Sequence, residues 1–504
     1  MTSTPTRDTP LGRYVRARAR ADGVGDELVG VDGALRPHWV ELIAGYDALG
    51  PVELDRRASE IRLLLEQDGV TYNAVGLHGR HRPWTLDAVP LVIDGTEWRS
   101  VEQGVAQRME LLELILRDLY GERRLLRSGL VPPEMVLGDP QFERACHGIV
   151  TPGPRQLVVG AVDLVRHTGG DWVAFSHRSE APSGAAFALE NRRVLSRVFP
   201  LLFQRTGVQR LAPFVRALRS ALRSAAPPGV DDPSIVILTP GPLSETAFEH
   251  ASIAAQLGYP LVQGADLEIR DGLLWLRTVA RPVRVDVVLR RVDSWFSDPL
   301  ELHPDSTLGV AGLVDACRAQ RVSVVNPLGA GVLENAGLVA LLPDLARALL
   351  GEELALPSAP SWWCGDDVGR SHVVANLPDL VLRPLSRRSA THSVDTRTAS
   401  AAELDELRRR IEAHPCEWVG QERLDPATAP VLAPAGLVPR PTVLRAFAVA
   451  GADGYNVMAG GLARAATDGS SGAITNRAGA LAKDVWVVAT EPEPEADFWL
   501  MPPE

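Results

Sequence analysis

Apolar residues recur at helical spacing in two blocks of the N-terminal part of the chain. The first block runs from about residue 38 to 68 and the second from about 97 to 128, and both patterns predict helices. Between them lies a segment rich in turn residues and polar aromatics, which favours binding over packing. Residues 156–176 then alternate like two strands around Gly169 and Gly170, which predicts a hairpin.

An alternation of helices and short apolar strands begins after the proline-rich stretch at 223–233. It continues to about residue 350, and such an alternation predicts a mainly parallel sheet covered by helices. From about residue 361 the pattern is more mixed, with one helix at 400–413 and several strands. This part of the chain is typical of an α+β lobe.

The composition excludes several classes of protein. The 504 residues are 45% hydrophobic and 23% charged, which is ordinary for a globular protein of roughly two to four domains. The net charge of −11 argues against a broad basic face for nucleic acid. No apolar run reaches the roughly 18 residues of a membrane span, and the N-terminus has no apolar signal segment. Because four cysteines without CxxC spacing argue against zinc and disulfide frameworks, we expect a cytoplasmic protein.

Lys483 is the only lysine in the chain, and the other 51 basic residues are arginines. Lysine is a compact point charge, whereas arginine is a planar fork, so a tight site that contacts one phosphate oxygen can require lysine. Chance survival of one lysine in an arginine-rich chain is the simpler explanation. The residue is therefore a candidate phosphate contact that the sequence alone does not decide.

Charged and amide residues collect at the ends of predicted strands and helices, where side chains from different elements can meet. Carboxylate and amide oxygens suit magnesium, whereas several arginines and a lysine suit phosphates. Together they predict a nucleotide site, although a structural ion pair is the simpler explanation for each pair alone. These positions are Asp163 and Arg166, Glu190 to Arg192, Arg290, Arg291 and Asp293, Gln421 and Glu422, and Lys483 and Asp484.

Motifs of other mechanisms are missing from the sequence. It contains no GxSxG elbow, no GxxxxGK[ST] loop, no GxGxxG after a first strand and no HExxH. Cys146 beside His147 is a candidate nucleophile, but a small buried hydrophobic residue is the simpler interpretation.

Longer blocks of the sequence resemble the circularly permuted type 2 ATP-grasp family. The blocks follow the order of that family from about residue 69 to 488. The resemblance implies an α/β and α+β protein with a circularly permuted ATP-grasp fold and an inserted, mainly parallel α/β domain of the pre-ATP-grasp type. Representative blocks are RPWTLDAVPLVI (82–93), APSGAAFALENRRVLSR (181–197), VLRRVDSWFSDPLEL (288–302), WVGQE (418–422) and VMAGGLARAA (457–466).

The order of these blocks predicts five segments. They are an N-terminal helical extension (1–68), the helices and magnesium-side strands of the core (69–230), the pre-ATP-grasp-like domain (231–355), the ATP-clamping lobe with closing strands (356–490) and an acidic tail (491–504).

The function that the resemblance implies is an ATP-dependent carboxylate–amine ligase that forms a peptide or amide through an acyl phosphate, with ATP and Mg²⁺ as cofactors. The alternative is a degenerate ATP-grasp protein that binds nucleotide or serves as a scaffold without turnover. The expected substrate is a peptide or amino-acid-like molecule. Family members also suggest an alpha-E helical protein and a transglutaminase-like protease as partners, and neither nucleic acid nor a membrane is expected.

The resemblance also implies roles for particular residues. The catalytic group comprises Arg166, Arg291, Asp293, Lys483 and Asp484. The ATP-binding group comprises Arg383, Gln421, Glu422, Arg445 and Lys483. The substrate-binding group comprises Asn73, Arg82, Ser183, Arg192, Thr239, Glu249, His250 and Arg290. The implied magnesium ligands are Asp163, Glu190 and Asn191.

Two segments depart from the pattern of the family. Arg383 stands in VLRP, where many ATP-grasp proteins have a lysine that reaches phosphate. The segment FSHRSEAPSG has Ser176, His177 and Arg178 where some relatives carry an acid-acid-amide run that supplies magnesium ligands. A cationic arginine does not bind magnesium. The departures indicate either a rearranged site or a protein that binds nucleotide without turnover.

Overall fold

The computed structural model describes most of the chain. The described ranges are 25–30, 32–72, 82–167, 169–389, 392–434, 436–468 and 474–489, with the single positions Gly12, Tyr14, Val15 and Arg18. Asn73 and the predicted acidic tail at 491–504 lie outside the described residues. Within the ranges that are described, no helix is long and apolar enough to cross a membrane.

The described strands fall into five sheets. In chain order they are β1 (Thr71–Tyr72), β2 (Arg82–Pro83), β3 (Leu91–Ile93), β4 (Val159–Arg166), β5 (Trp172–Arg178), β6 (Ile235–Leu238), β7 (Leu261–Val262), β8 (Leu267–Arg270), β9 (Leu273–Leu276), β10 (Val283–Val285), β11 (Val287–Arg290), β12 (Ser323–Val325), β13 (Ser361–Trp363), β14 (Leu380–Pro384), β15 (Val394–Asp395), β16 (Trp418–Glu422), β17 (Thr428–Ala433), β18 (Gly436–Ala450), β19 (Tyr455–Val457), β20 (Leu462–Ala465) and β21 (Leu481–Val487).

The described α-helices connect or cover these sheets. In chain order they are α1 (Val40–Gln67), α2 (Gly95–Leu119), α3 (Arg124–Arg127), α4 (Pro133–Leu137), α5 (Ala185–Val198), α6 (Pro200–Thr206), α7 (Ala212–Ser224), α8 (Ala247–Leu257), α9 (Leu313–Arg318), α10 (Ala336–Leu349), α11 (Asp367–Ala375) and α12 (Ala401–Ala413).

Local sequence signals explain where helices begin and bend. The Asp94 carboxylate caps α2 by accepting hydrogen bonds from the backbone N–H groups of Thr96 (2.8 Å) and Glu97 (3.2 Å). Helix α1 kinks at Gly50, whose φ of 72° lies in the left-handed region. Pro51 follows directly and removes a backbone donor, so the kink has a sequence cause.

The large sheet is the centre of the molecule. Its strands run in the order β3-β21-β20-β18-β4-β5, and β17 and β19 also pair with β18. Helix α5 begins against Phe447 and Leu462 on one face, because a side chain at Gly184 would meet both. Helix α2 lies on the opposite face, where the Met109 side chain fills the space beside Gly160. The two faces therefore have different neighbours, and alternate residues of each strand reach one or the other.

Residues 235–349 form an α/β domain around a four-stranded parallel sheet in the order β12-β11-β6-β7. This arrangement confirms the mainly parallel sheet predicted from the alternation of helices and strands. The connections from β6 and β11 leave in opposite directions, to β7 and to β12. The carboxyl ends of β6 and β11 thus form a topological switch point, where open α/β sheets bind ligands.

The small lobe, residues 361–422, has a separate antiparallel sheet in the order β13-β16-β14-β15. Helices α11 and α12 pack against this sheet and each other. The small lobe has its own buried cluster, which includes Val373, Leu382, Leu407 and Ile411. The lobe is therefore a second folding core beside the large sheet.

The elements differ from the sequence predictions in several places. The block at 97–128 forms α2 and α3 instead of one helix, because Arg123 between them adopts a φ of 57°. Strands β17 and β20 were not predicted, since they are mostly or wholly buried and so lack polar alternation. The range 356–490 contributes to two sheets. Its strands β13 to β16 form the sheet of the small lobe, whereas β17 to β21 belong to the large sheet, in which β18 pairs with β4.

We expect Leu382→Ala to destabilise the small lobe. Leu382 is fully buried in the core of the lobe, and truncation of such a leucine costs about 2–5 kcal/mol. The control is Val368→Ala on α11, because Val368 is 77% exposed and exposed substitutions stay within about 0.5 kcal/mol. Urea unfolding followed by tryptophan fluorescence reports on the lobe through Trp362, Trp363 and Trp418. Equal midpoints for both variants would contradict the separate core.

Candidate active site

The candidate active site lies where the small lobe meets strand β5 of the large sheet. Arg383 on β14 donates from Nη1 to the backbone oxygen of Phe175 (2.8 Å) and to Gln421 Oε1 (2.9 Å). Gln421 on β16 also donates to the Phe175 oxygen (3.3 Å). The site is thus the junction between two sheets, called the cleft below, and residues from both sheets meet there.

Asp163 on β4 is the centre of the cleft on the large-sheet side. It is 1% exposed, and Arg445 on β18 grips both of its carboxylate oxygens at 2.7 and 3.0 Å. Arg464 on β20 donates at 3.3 Å, and Arg178 on β5 forms an ion pair at 3.0 Å. Despite its burial, the three guanidinium groups hold the pKa of Asp163 well below its usual range. The carboxylate therefore stays ionised.

Glu334 is the second buried carboxylate of the cleft. One of its oxygens accepts hydrogen bonds from the backbone N–H groups of Ser179 (2.8 Å) and Glu180 (2.9 Å). The other is bonded to Arg387, which follows β14 in the small lobe, and lies 3.7 Å from Arg178. Burial opposes ionisation, but Arg387 and Arg178 lower the pKa of Glu334. Glu334 thus links the small lobe to the segment after β5.

Five arginines face these two carboxylates and are called the arginine cluster below. Burial lowers the pKa of Arg178 to about 9, and of Arg383 and Arg464 to about 10, because the cations are desolvated. The side chain of Arg387 is 50% exposed, so the cleft opens to solvent there. The cluster therefore carries excess positive charge suited to an anion. Its members are Arg178, Arg383, Arg387, Arg445 and Arg464.

Residues predicted at the end of β11 support the backbone near the cleft. Arg290 is 1% exposed and donates to the backbone oxygens of Asn326 (2.7 Å) and Pro327 (3.0 Å). Its Nη1 also forms an ion pair with Glu180 at 2.9 Å. Burial, and then the neighbouring Glu180 carboxylate, raises the pKa of Asp293. Arg290 therefore supports the backbone at Asn326 and Pro327, and Asp293 lies close to the Glu180 carboxylate.

Arg291 and Glu249 hold the loop before α5. Arg291 donates to the backbone oxygen of Pro182 (2.8 Å), and its ion pair with Glu249 spans 3.9 Å. Glu249 accepts from the backbone N–H of Gly184 at 2.6 Å. The backbone oxygen of Ser183 accepts from Arg445 at 3.0 Å. These contacts connect the switch point of the α/β domain to the arginine cluster.

Thr239 and His250 form a closed hydrogen-bonded pair at the end of β6. Thr239 Oγ1 lies 2.9 Å from His250 Nδ1, and Thr246 Oγ1 lies 3.0 Å from His250 Nε2. Burial, and then Arg291, lowers the pKa of His250 to about 3. Both ring nitrogens have protein partners, so the predicted substrate contact through His250 requires one of these bonds to break.

Lys483 has a different role from the predicted phosphate contact. Its ammonium is fully buried and bonded to the Asp87 carboxylate and to the backbone oxygens of Val89 (2.5 Å) and Pro430 (2.8 Å). These three acceptors match the three protons of an ammonium group. Burial raises the pKa of Asp87 and lowers that of Lys483, and their contact opposes both shifts. The structure leaves no proton of Lys483 for a phosphate.

Strand alternation explains why Lys483 is separated from the cleft. In the sheet, Asp484 is opposite Leu462, and Leu462 is opposite Arg445. Arg445 is in turn opposite Asp163. Residues opposite one another share a face, and neighbours along a strand point to opposite faces. Lys483 therefore points away from the arginine cluster.

Asp484 shares the face of the cluster, but α5 covers it. It accepts from Arg192 Nε (2.9 Å) and Trp486 Nε1 (2.6 Å). Arg192 also donates to the backbone oxygens of Gln209 (2.7 Å) and Val485. The structure thus gives Arg192 and Asp484 a packing role.

Arg166 lies at the far end of β4 from the cluster. It is 3% exposed and bonded to Glu27 at 2.9 Å, to Glu97 and to the backbone oxygen of Gly170 at 3.0 Å. Although burial opposes it, the two carboxylates raise the pKa of Arg166. The predicted catalytic role does not match this saturated position.

The implied magnesium ligands are not brought together. Asp163 is enclosed by arginines, Glu190 accepts two hydrogen bonds from Arg193 (2.6 and 3.0 Å), and Asn191 Oδ1 accepts from Trp84 (2.9 Å). Among the residues with described positions, no group of three or more His, Cys, Asp or Glu side chains could hold a metal ion. The three implied ligands therefore do not form one magnesium site.

The remaining predicted residues divide between the cleft and the surface. Gln421 meets Arg383 in the cleft, whereas Glu422 beside it is exposed. Arg82 lines a cavity of about 530 Å³ with Arg440 and Leu481. Leu481 shares the face of Lys483, so this cavity lies across the sheet from the arginine cluster. Cys146 is buried, and burial raises the pKa of its thiol, which supports the small hydrophobic interpretation.

Four residues of the cleft were not assigned a site role from the sequence. Arg178 was noted only as a departure from the family, and Glu334, Arg387 and Arg464 were not singled out. A signal was present for Glu334 and Arg464, because each is a lone charge within an apolar stretch that the pattern predicts to be buried. Arg387 has no such signal, since it lies in an arginine-rich turn.

The molecule thus combines a large sheet, a smaller antiparallel sheet and an α/β domain, with arginines gathered where the two sheets meet. The chain belongs to the circularly permuted ATP-grasp type 2 family, whose model matches residues 90–466. This match confirms the resemblance seen in the sequence blocks. ATP-grasp proteins generally use ATP and Mg²⁺.

Relatives of the chain occur in several bacteria. The uncharacterized protein Rv2567 of Mycobacterium tuberculosis is 43% identical over 96% of this chain and 56% of that protein. The uncharacterized protein Rv2411c of the same species is 35% identical over 92% of this chain and 84% of that protein. The chain thus spans about half the length of the first of these relatives.

A solved structure has a similar fold. It is a glutathione synthetase-like effector from Globodera pallida, with a TM-score of 0.54 and 12% sequence identity. The match covers 87% of this chain and 98% of the effector. At this identity the likeness concerns the fold alone.

We expect Lys483→Met to lower stability and to leave nucleotide affinity unchanged. The substitution leaves the buried Asp87 carboxylate without its partner, which costs about 3–5 kcal/mol. Adding Asp87→Asn removes the stranded charge, so the double variant should recover part of this loss. Chemical unfolding measures the stabilities, and calorimetry measures ATP affinity. Weaker ATP binding at unchanged stability would restore the phosphate-contact interpretation.

Proposed function

We propose that this protein is a cytoplasmic ATP-dependent carboxylate–amine ligase that acts on a peptide or amino-acid-like substrate. The observation that carries the proposal is the arginine cluster in the cleft between the small lobe and the large sheet. Guanidinium groups bind phosphate through paired, charge-assisted hydrogen bonds. The family consists in general of ATP-dependent ligases, so we assign the polyphosphate of ATP as the ligand of this cationic cleft.

The chemistry of such a ligase needs charge stabilisation more than proton transfer. A substrate carboxylate would attack the terminal phosphorus of ATP to give an acyl phosphate and ADP, and an amine would then displace inorganic phosphate to form the amide. Preorganised cations stabilise the negative charge that develops on a transferring phosphoryl group. Arg178, Arg383 and Arg387 line the cleft where this charge would appear.

The substrate side of the proposed site is the switch point of the α/β domain. Arg291 and Glu249 from this domain fix the 182–184 loop, which in turn contacts Arg445 of the cluster. Ligands of open α/β sheets bind at such crevices. A carboxylate substrate placed there would lie beside the arginine cluster.

A second candidate function is nucleotide binding without turnover, as part of a scaffold. The enclosure of Asp163 by three arginines favours it, because this carboxylate has little capacity left for a magnesium ion. The retained cleft and cluster support ATP binding under either candidate. An alpha-E helical protein and a transglutaminase-like protease are proposed partners under both.

Turnover is tested by mixing purified protein, ATP and Mg²⁺ with a small-molecule extract. ADP should accumulate while mass spectrometry detects a product equal to two extract components joined with loss of water. Arg383→Met should reduce ADP formation at least about tenfold, because it removes charge-assisted phosphate contacts. The matched control is Arg408→Met, since Arg408 lies on the solvent face of α12 and pairs with Asp405. ATP binding without ADP formation would favour the second candidate.

A further inference from the structure

The Asp163 carboxylate of the cleft is already occupied by arginines. The two carboxylate oxygens of Asp163 receive three hydrogen bonds from Arg445 and Arg464 and an ion pair from Arg178. A carboxylate offers roughly four acceptor positions, so these contacts fill them. Magnesium binds oxygen ligands at about 2 Å. To bind an Asp163 oxygen at that distance, the ion would have to displace at least one guanidinium group.

Glu334 offers no better ligand for a divalent cation. One oxygen is held by two backbone N–H groups, and the other is bonded to Arg387. Glu190 is held by Arg193, outside the cluster. The carboxylates of Asp163, Glu334 and Glu190 are thus already paired with arginines. In the portion of the chain with a described structure, no group of three or more His, Cys, Asp or Glu side chains could hold a metal ion.

The arginine cluster has unused donors. Arg383 makes both of its hydrogen bonds through Nη1, which leaves Nε and Nη2 without an acceptor among the described residues. Arg464 Nε is buried and lacks a partner in the part of the chain that the structure describes. The half-exposed Arg387 bonds through Nη1 alone. Each guanidinium carries five N–H donors. The cluster can therefore donate hydrogen bonds to a bound polyanion and keep its internal ion pairs.

We propose that the cleft binds the polyphosphate of its nucleotide through the arginine cluster, with Asp163 and Glu334 engaged by arginines and not by a divalent cation, so that binding does not require magnesium. The proposal concerns phosphate recognition at the site of the proposed function and holds for both candidate functions. Arg383, Arg387 and Arg464 provide the unused donors, whereas Arg178 lies between Asp163 and Glu334 and joins the two carboxylates. In this arrangement the guanidinium groups supply the positive charge that a metal ion would otherwise bring.

Calorimetric titration of the full chain tests the proposal, with ATP as the probe in excess Mg²⁺ and in EDTA. The dissociation constants in the two buffers should agree within about threefold, less than the tenfold that corresponds to one strong interaction. A loss of more than about tenfold in EDTA would show that a metal ion carries the binding and would overturn the proposal.

Variants identify the arginines that replace the metal ion. Arg387→Met is the main variant, because Arg387 is the half-exposed member of the cluster. Adding Glu334→Gln removes the buried charge that this substitution would leave unpaired. Arg387→Met should weaken ATP binding about ten- to a hundredfold in both buffers, the scale of a charge-assisted hydrogen bond. Arg193→Met is the matched control, since Arg193 is 45% exposed and pairs with Glu190 and Asp68 away from the cleft. Equal effects of both variants would overturn the proposal.

A second probe separates this proposal from the proposed function. Inorganic tripolyphosphate in EDTA should compete with ATP. Binding of tripolyphosphate but not ATP would leave the arginine site standing and reject the nucleotide-dependent functions. Binding of neither probe in EDTA would overturn the arginine site. Metal-independent binding without ADP formation would support the arginine site and reject the ligase.

Discussion

A charged side chain that is buried must be paired within the protein. The ion pairs of Asp163 with three arginines are the strongest example of this constraint in the molecule. Arg178, Arg445 and Arg464 come from β5, β18 and β20. Their guanidinium groups would repel one another in a site of low dielectric without the carboxylate between them. Together with β4, which carries Asp163, the ion pairs therefore hold four strands in register across the part of the large sheet that forms the cleft.

The same constraint governs two other buried acids, Glu334 and Asp87. Glu334 joins the α/β domain to the small lobe through Arg387, and Asp87 joins the segment before β3 to β21 through Lys483. In each case the carboxylate connects segments that are distant in the sequence. Because these acids are used as internal connections, the charge left over in the cleft is positive. The structural role of the acids and the anion-binding character of the site thus have one cause.

Chain order matters little for a site that is built from strand ends. Strand β3 at residues 91–93 pairs in parallel with β21 at residues 485–487, so the first and last strands of the large sheet are neighbours. The cleft combines residues of β4 and β5 with residues that follow almost 300 positions later on β18 and β20. A permuted sequence can therefore form the same sheet, because pairing depends on spatial register and not on the order of connection.

The sequence determined the family, most helices and the parallel sheet, because apolar periodicity and long blocks of matching residues are preserved along the chain. It placed Asp163, Arg383, Gln421 and Arg445 in one site, and the structure brings these four together. Only the tertiary structure decided that Lys483 belongs to the opposite face and that Glu334, Arg387 and Arg464 belong to the cleft. Side chains of neighbouring strand residues point in opposite directions, and which face becomes a cleft depends on the elements that cover the other. That covering is a property of long-range packing, which local sequence does not encode.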